Sequence, residues 1–358
     1  MNEEKLSLFI GNSHMTIVDA MELIDKNSSG ILFIEDADNK FVGCISDGDI
    51  RRWLIKTGDL QALVSDAMTK TPVSVYIEDQ DKVFKIMQSK HITSIPILDV
   101  NHKIVDIALR TDFDQESSQS NKSSLTGVPV VVMAGGKGTR LYPYTKILPK
   151  PLVPIGDTPI VERIIKYYTE YGINEFHMTV NYKKEMIRSY FVNGVFPFTI
   201  KFVEETIPLG TGGSLKLIED RFDRPLFVTN CDTLILADYD KIYDFHVKNG
   251  NVVTMVAAIK NITIPYGVLH TKESGELVGM EEKPRLSHMI NTGMYVINPN
   301  VIDLIPEGCI FHMTHLVDKV RARGQKVGVY PVSEDSFLDM GEFDEMRRME
   351  EKLNIVKD

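Results

Sequence analysis

The sequence predicts an α/β protein, with a mixed, mainly parallel sheet in its longer C-terminal part and a smaller α/β module ahead of it. Three observations carry this. Past residue 127, short apolar runs alternate with amphipathic helical stretches. Before residue 115, a strand-rich segment repeats at an offset of 63 residues. Between them lies Gln115–Ser124 (QESSQSNKSS), polar and half serine, which reads as a linker because it has no apolar position to bury. The expected division is therefore 1–114, a linker at 115–126, and 127–358.

A chain of 358 residues suits two domains, and 43% hydrophobic with 25% charged is the composition of a soluble globular protein. No apolar run reaches the roughly 18–20 residues of a membrane helix. The acidic start (MNEEK) lacks the layout of a signal peptide. Cys44, Cys231 and Cys309 are scattered and show no C-x-x-C spacing, so neither a disulfide framework nor a zinc site is indicated. A cytoplasmic location is the expectation. The net charge is −10; residues up to Thr126 hold 13 Lys and Arg against 20 Asp and Glu. The remainder holds 27 against 30. Neither part has the basic excess of a nucleic-acid binder, and an anionic substrate must be met by a few placed cations.

Taken in order, the first module pairs Lys40–Asp49 (KFVGCISDGD) with Lys103–Asp112 (KIVDIALRTD). Each follows an apolar strand, Ile31–Ile34 or Ile95–Leu98. Before each strand comes a helical stretch, Ile17–Lys26 capped by Thr16, or Lys82–Lys90. One copy is too small to bury its apolar faces alone, so two pack as one domain. With Met68–Val73 (MTKTPV) and Ile92–Asp99 (ITSIPILD), these residues resemble a pair of CBS motifs, tandem modules that often bind adenine nucleotides. The resemblance covers about residues 8–114 and implies a regulatory nucleotide as partner. Its ligand pattern, a hydroxyl residue three before Asp, is met by Ser46 and Asp49. The second copy keeps Asp112 but has Leu109 in the hydroxyl position. A structural or dimerising role is the other reading, and a homo-oligomer is expected through either module.

After the linker, Val128–Ala134 (VPVVVMA) reads as a buried strand feeding a loop. Thr158 is placed to cap a helix with Pro159 in its first turn and Gly172 past its end. Further strands are expected at Glu175–Val180, Thr199–Val203, Leu226–Thr229 and Val252–Ala258, and a charged helical stretch at Glu342–Lys352.

Ala134–Leu141 (AGGKGTRL) is a glycine-rich loop directly after a strand. Its glycines let backbone N–H groups approach phosphate oxygens, and Lys137 and Arg140 supply charge. Neither the Walker A spacing nor G-x-G-x-x-G is present. Leu148–Ile155 (LPKPLVPI) then holds Lys150 between two prolines, which keep the backbone extended. Together these resemble the signature of the sugar-1-phosphate nucleotidyltransferases. The likeness continues through PLGTGGSL at Pro208, VTNCDTL at Val228, YGVL at Tyr266, EEKP at Glu281, NTGMYVI at Asn291 and FLDMGEF at Phe337. It implies a Rossmann-like sheet, Mg²⁺ as cofactor, and a nucleoside triphosphate and a sugar 1-phosphate as partners.

In such enzymes a sugar phosphate oxygen attacks the α-phosphorus and pyrophosphate leaves, so catalysis is positioning plus charge neutralisation. The resemblance implies that Ala134, Gly135, Gly136, Gly138, Thr139 and Arg140 cradle the nucleotide, with Arg140 neutralising the triphosphate. It implies that Lys150 meets the α-phosphate or the incoming phosphate, and Lys283 the sugar phosphate. Asp232 and Asp339 become the metal ligands, hard oxygen donors suited to Mg²⁺. Gly267, Glu282, Asn291 and Thr292 match positions that hold the sugar. Glu205, five residues before Gly210, falls where the family reads the base; a carboxylate only accepts. Guanine offers it two adjacent donors, which favours GTP; a CTP- or UTP-using member is the alternative.

The architecture resembles guanylyltransferases of bacterial surface-sugar pathways, including those supplying GDP-glucosamine for nonulosonic acids such as legionaminic acid. Mannose and heptose 1-phosphates are alternative substrates. A non-catalytic nucleotide or sugar-nucleotide sensor would show damaged catalytic positions, whereas Arg140, Lys150, Asp232, Lys283 and Asp339 are all present. His312-x-x-His315 has an i,i+3 spacing that could hold a metal, but a packed helix face is the favoured reading; Cys231 reads as a small buried residue.

Overall fold

The computed structural model describes residues 6–27, 29–90, 92–109, 124–341 and 343–353. Asp112 and residues 115–123 of the linker lie outside them. The chain falls into two compact units, Met1–Ser120 with Lys260–His288, and Asn121–Ile259 with Met289–Asp358. The linker marks the first passage between units. The segment Lys260–His288, inside the span read as catalytic, groups with the first unit.

In the first unit, β1 (Ile10–Asn12), α1 (Ile17–Asn27), β2 (Ile31–Glu35), β3 (Phe41–Ser46) and α2 (Asp47–Thr57) form one copy. β4 (Val75–Tyr76), α3 (Val83–Lys90), β5 (Ser94–Leu98) and β6 (Ile104–Leu109) belong to the second. The repeat extends to register. Ile31 pairs with Ser46 and Glu35 with Phe41, while Ser94 pairs with Leu109 and Leu98 with Ile104. Each pair is displaced by the same 63 residues seen in the sequence. Both hairpins also shift register at equivalent steps, Ile34/Glu35 and Ile97/Leu98. Apolar residues of both copies, Phe33, Phe41, Leu98 and Ile107 among them, share one core. That explains why a single copy is insufficient.

The second unit is built on seven strands: β7 (Val130–Ala134), β8 (Glu175–Val180), β9 (Thr199–Glu204), β10 (Leu226–Asn230), β12 (Val253–Thr263), β13 (Arg285–Ile297) and β14 (Val327–Val332). Their order is β9-β8-β7-β10-β13-β12-β14. β7, β8, β9 and β10 run parallel to one another, as β14 does to β12, while β13 is antiparallel to β10. All five residues of β7 are buried, as its unbroken apolar run requires of a strand covered on both faces. Helices α4 (Ile160–Thr169), α5 (Lys184–Asn193), α6 (Tyr239–Lys248) and α7 (Met313–Ala322) accompany the sheet. Behind it, Tyr168, Tyr171, Phe227 and Tyr239 are buried within one core, with Tyr168 and Tyr239 ring centroids 4.5 Å apart. The start of α4 corrects one expectation. Pro159 is its N-cap and no side chain caps it; the Thr158 hydroxyl donates instead to Asp157. A short ladder outside the sheet, β11 (Thr233–Ile235) with β15 (Phe337–Asp339), completes what the site needs.

Candidate active site

β7 ends at Ala134 and releases the chain into the loop Gly135–Gly138, with Gly136, Thr139 and Arg140 exposed. Gly138 has φ 65°, and a Cβ there would lie 2.9 Å from Lys150 Cβ and 3.0 Å from Thr145 Cγ2. Only glycine combines that conformation with so close an approach. The Thr145 hydroxyl donates to the Gly138 carbonyl at 2.8 Å, so the loop is tied to Thr145 while Gly138 packs against Lys150. Lys150 opens a buried turn between its prolines, and its ammonium pairs with the buried Asp232 carboxylate.

Asp232 follows β10. The β11–β15 register sets Asp339 opposite Thr233, and the Met340 amide donates to the Asp232 carbonyl at 2.9 Å. A Cβ on Gly341 would stand 2.9 Å from Asp339 Oδ2 and 3.1 Å from Arg140 Nη1, so those two groups converge on one spot. Burial, and then the Asp232 charge, push the Asp339 carboxyl up to about 6, with Lys150 and Arg140 pulling the other way. Two carboxylates set close together in a cleft, one of them raised by burial and by its neighbour's charge, are a donor set that a hard divalent cation relieves. Arg140, Asp232, Asp339, Asn291 and Thr292 line one cavity of about 360 Å³.

Asn291 is exposed there, its amide donating to the Tyr295 hydroxyl at 2.6 Å. Thr292 is buried; its hydroxyl donates to the Val256 carbonyl at 2.8 Å and accepts the Met294 amide at 3.3 Å, which fixes the strand beneath the site. Glu205 follows β9 and is buried, with Oε2 accepting the Leu209 amide at 3.1 Å. A Cβ on Gly135 would come within 2.6 Å of Glu205 Oε1, so the carboxylate abuts the glycine loop. Burial raises the Glu205 carboxyl, and the Leu209 amide opposes that. Gly210 has φ 78°, and a Cβ there would lie 2.8 Å from the Phe311 carbonyl.

Gly267, Glu282 and Lys283 fall in the first unit. A Cβ on Gly267 would meet Glu282 Oε2 at 3.0 Å, so these two are brought together, and Lys283 takes a left-handed φ of 49°. In the CBS copy, Ser46 and Asp49 form a capping box at the start of α2, Ser46 Oγ lying 2.6 Å from Asp49 Oδ2.

Thr211 and His312 also line the cavity, and the sequence reading missed both. His312 is the N-cap of α7, and its Nδ1 lies 3.4 Å from the Thr211 amide. His312 and His315 are exposed rather than packed, contrary to expectation. Thr211 and His312 meet across 101 residues, and no local pattern signals such a meeting. Cys231 is buried, and burial drives its thiol far above the usual range, which leaves it inert beside Asp232. A second cavity of about 310 Å³ contains Glu175, His177 and Asp220, whose ligand atoms lie within 4.8 Å of one another. Lys201 already bridges its carboxylates, 2.5 Å from Glu175 and 2.9 Å from Asp220.

Comparison with known proteins agrees with this geometry. The nucleotidyl transferase family model matches residues 129–354, and the CBS domain model matches 12–56 and 64–117. A mannose-1-phosphate guanyltransferase of Debaryomyces hansenii is 37% identical over 184 residues, 49% of this chain and 51% of that protein. A UTP–glucose-1-phosphate uridylyltransferase of Synechocystis is 32% identical over 197 residues, 50% of this chain and 51% of that one. The chain spans about half the length of the curated relatives it matches. The crystal structure of HddC from Yersinia pseudotuberculosis superposes with a TM-score of 0.50 at 25% identity, covering 63% of this chain and 99% of HddC. A glycine loop seated on a lysine, two facing aspartates and a family match over most of the chain have one explanation: this protein belongs to the nucleotidyl transferase family and carries a CBS pair ahead of its transferase region.

Proposed function

We propose that the protein transfers GMP from GTP to the phosphate of a sugar 1-phosphate, releasing pyrophosphate. The observation that carries this is the convergence of Arg140, Asp232 and Asp339 on one cavity, with Lys150 paired to Asp232. A sugar phosphate oxygen forms a bond to the α-phosphorus as the bond to the β-phosphate oxygen breaks. The electron pair leaves with pyrophosphate, so no residue of the chain is acylated or phosphorylated. Arg140, on the exposed loop, neutralises the triphosphate and the charge that grows on the leaving group. Lys150, buried and oriented by Asp232, meets the α-phosphate. Lys283 holds the sugar phosphate, while Gly267, Glu282, Asn291 and Thr292 hold the sugar. Asp232 and Asp339 would hold Mg²⁺, which when bound supplies charge neutralisation at the phosphates.

Glu205 supports guanine. Its carboxylate is an acceptor group packed against the nucleotide loop, and relatives named guanyltransferases point the same way. The uridylyltransferase among the relatives keeps UTP as the second reading. For the sugar, the CBS–transferase architecture points first to glucosamine 1-phosphate, and the relatives' names to mannose 1-phosphate. In the CBS pair, Ser46 and Asp49 are the residues a regulatory nucleotide would meet. The domain limits we propose are 1–114 for the CBS pair and 127–358 for the transferase, served by the Lys260–His288 segment.

The test is pyrophosphate release with Mg²⁺ across GTP, UTP and CTP, each with glucosamine, mannose and heptose 1-phosphates. GTP-dependent turnover with one sugar is expected. Absence of turnover with every pair would instead support a sensor.

A further inference from the structure

Within the first unit, Arg285 joins two stretches that are far apart in sequence. It opens β13, its Nη1 lies 3.2 Å from Asp19 Oδ1, and its Nη2 pairs with Glu22. Asp19 and Glu22 are three residues apart on α1 and so share a face. The planar guanidinium gives each carboxylate one arm of its fork. The cap of α1 accounts for only half of Asp19. Its Oδ2 accepts the Thr16 hydroxyl at 2.7 Å and the Thr16 amide at 3.2 Å, which leaves Oδ1 to Arg285.

The same face of α1 holds the other side of the segment. Asn261, on β12, donates to Glu22 at 3.3 Å and accepts from Ser287 at 2.7 Å. Ser287 lies 3.4 Å from Gln61 of the CBS pair. The outgoing and returning strands are thus both tied to the CBS pair, and the arm between them, 264–284, carries Gly267, Glu282 and Lys283. The Ile264 amide closes the base of that arm on the Pro284 carbonyl at 3.0 Å, next to Arg285. β13 then runs on without a break to Asn291 and Thr292.

We infer that Arg285 is a positioning residue for the sugar 1-phosphate, and that through it helix α1 of the CBS pair mounts the arm bearing Glu282 and Lys283. This rests on the role proposed above for those two residues. The ion pairs are partly exposed, so they contribute little to global stability. Their effect lies in the orientation of the arm.

Arg285→Ala and Glu22→Gln in the full chain test this. The KM for the sugar 1-phosphate should rise on the order of tenfold, the usual size of a coupling between sites. The KM for GTP should stay within about twofold. The exchanged pair Arg285→Glu with Glu22→Arg, made together with Asp19→Asn so that the new carboxylate meets an amide and not a second carboxylate, should recover most of the loss. Amide hydrogen exchange provides a readout independent of activity. Residues 264–284 should exchange faster in both single variants and return towards wild type in the exchanged pair. Equal KM shifts for both substrates, no recovery in the exchanged pair, or unaltered exchange in 264–284 would each overturn the inference. Were the wild-type protein inactive with every sugar phosphate, the proposed function would fail, and the exchange data alone would decide whether Arg285 mounts the arm.

Discussion

Asp232 and Asp339, 107 positions apart, are set side by side by the ladder that places Asp339 opposite Thr233 and by the Met340 amide bound to the Asp232 carbonyl. Burial, and then the Asp232 charge, raise Asp339 to about 6, so above that pH its charge costs the metal-free fold stability. The cost is complete above that pH and fades as pH falls from there to the unfolded value of 3.8. Asp339→Asn should therefore raise the melting temperature of the metal-free protein at pH 7.5, with an advantage that fades below pH 6. The same change should remove the stabilisation by Mg²⁺ and lower kcat by roughly 10²-fold or more. Thermal melts with and without Mg²⁺ across pH, beside pyrophosphate release, check this; a lower melting temperature for the variant at pH 7.5 would contradict it.

Gly138 presses on Lys150, with room for no Cβ and a φ that favours glycine. Gly138→Ala should displace the lysine from Asp232 and lower kcat/KM by roughly 10–100-fold, since about an ångström of misplacement has that effect. Steady-state kinetics check it; activity within twofold of wild type would show that the loop does not set Lys150.

Glu205 to Gln retains an oxygen able to accept the Leu209 amide but adds a donor where an acceptor stood. The ratio of kcat/KM for GTP over UTP should fall by roughly 10–100-fold, the scale of a mispaired buried polar group. An unaltered ratio would remove Glu205 from base selection.

His246 is buried between the Thr254 hydroxyl, 2.9 Å from Nδ1, and Asn298 Oδ1, 3.0 Å from Nε2. Burial lowers its pKa, with the Asn298 contact opposing, so the fold disfavours the protonated ring. The contribution is complete above the unfolded pKa of about 6.5 and is lost as pH falls through the lower folded value. Denaturant melts from pH 7.5 to 5 should show a steeper loss for wild type than for His246→Gln. Parallel curves would mean that another group governs the acid limb.

Within the first module, most of the fold was legible because the repeat is a local pattern. The 63-residue offset that links Lys40 to Lys103 in sequence also links the two hairpin registers. Likewise β8 spans the residues expected of it, since alternating apolar runs encode strands directly. Thr158 was misread because a hydroxyl ahead of a helix signals a cap only if it points back at the helix, and here it turns to Asp157. His312 was misread as part of a packed face because spacing along a helix does not say where the helix begins; at the start of α7 it faces the cavity.

What the sequence alone determined was chemical identity and local order: the glycine loop, the proline-framed Lys150, both aspartates and the CBS repeat. These depend on residue type and on neighbours within a few positions. Only the tertiary structure decided that Asp339 lies beside Asp232, that Thr211 meets His312, and that Arg285 ties residues 260–288 to helix α1. Each of those contacts spans on the order of a hundred residues or more, and chain spacing fixes no distance over such a length. Register and packing do, because a strand pairs its residues one by one and a closed core admits only one arrangement.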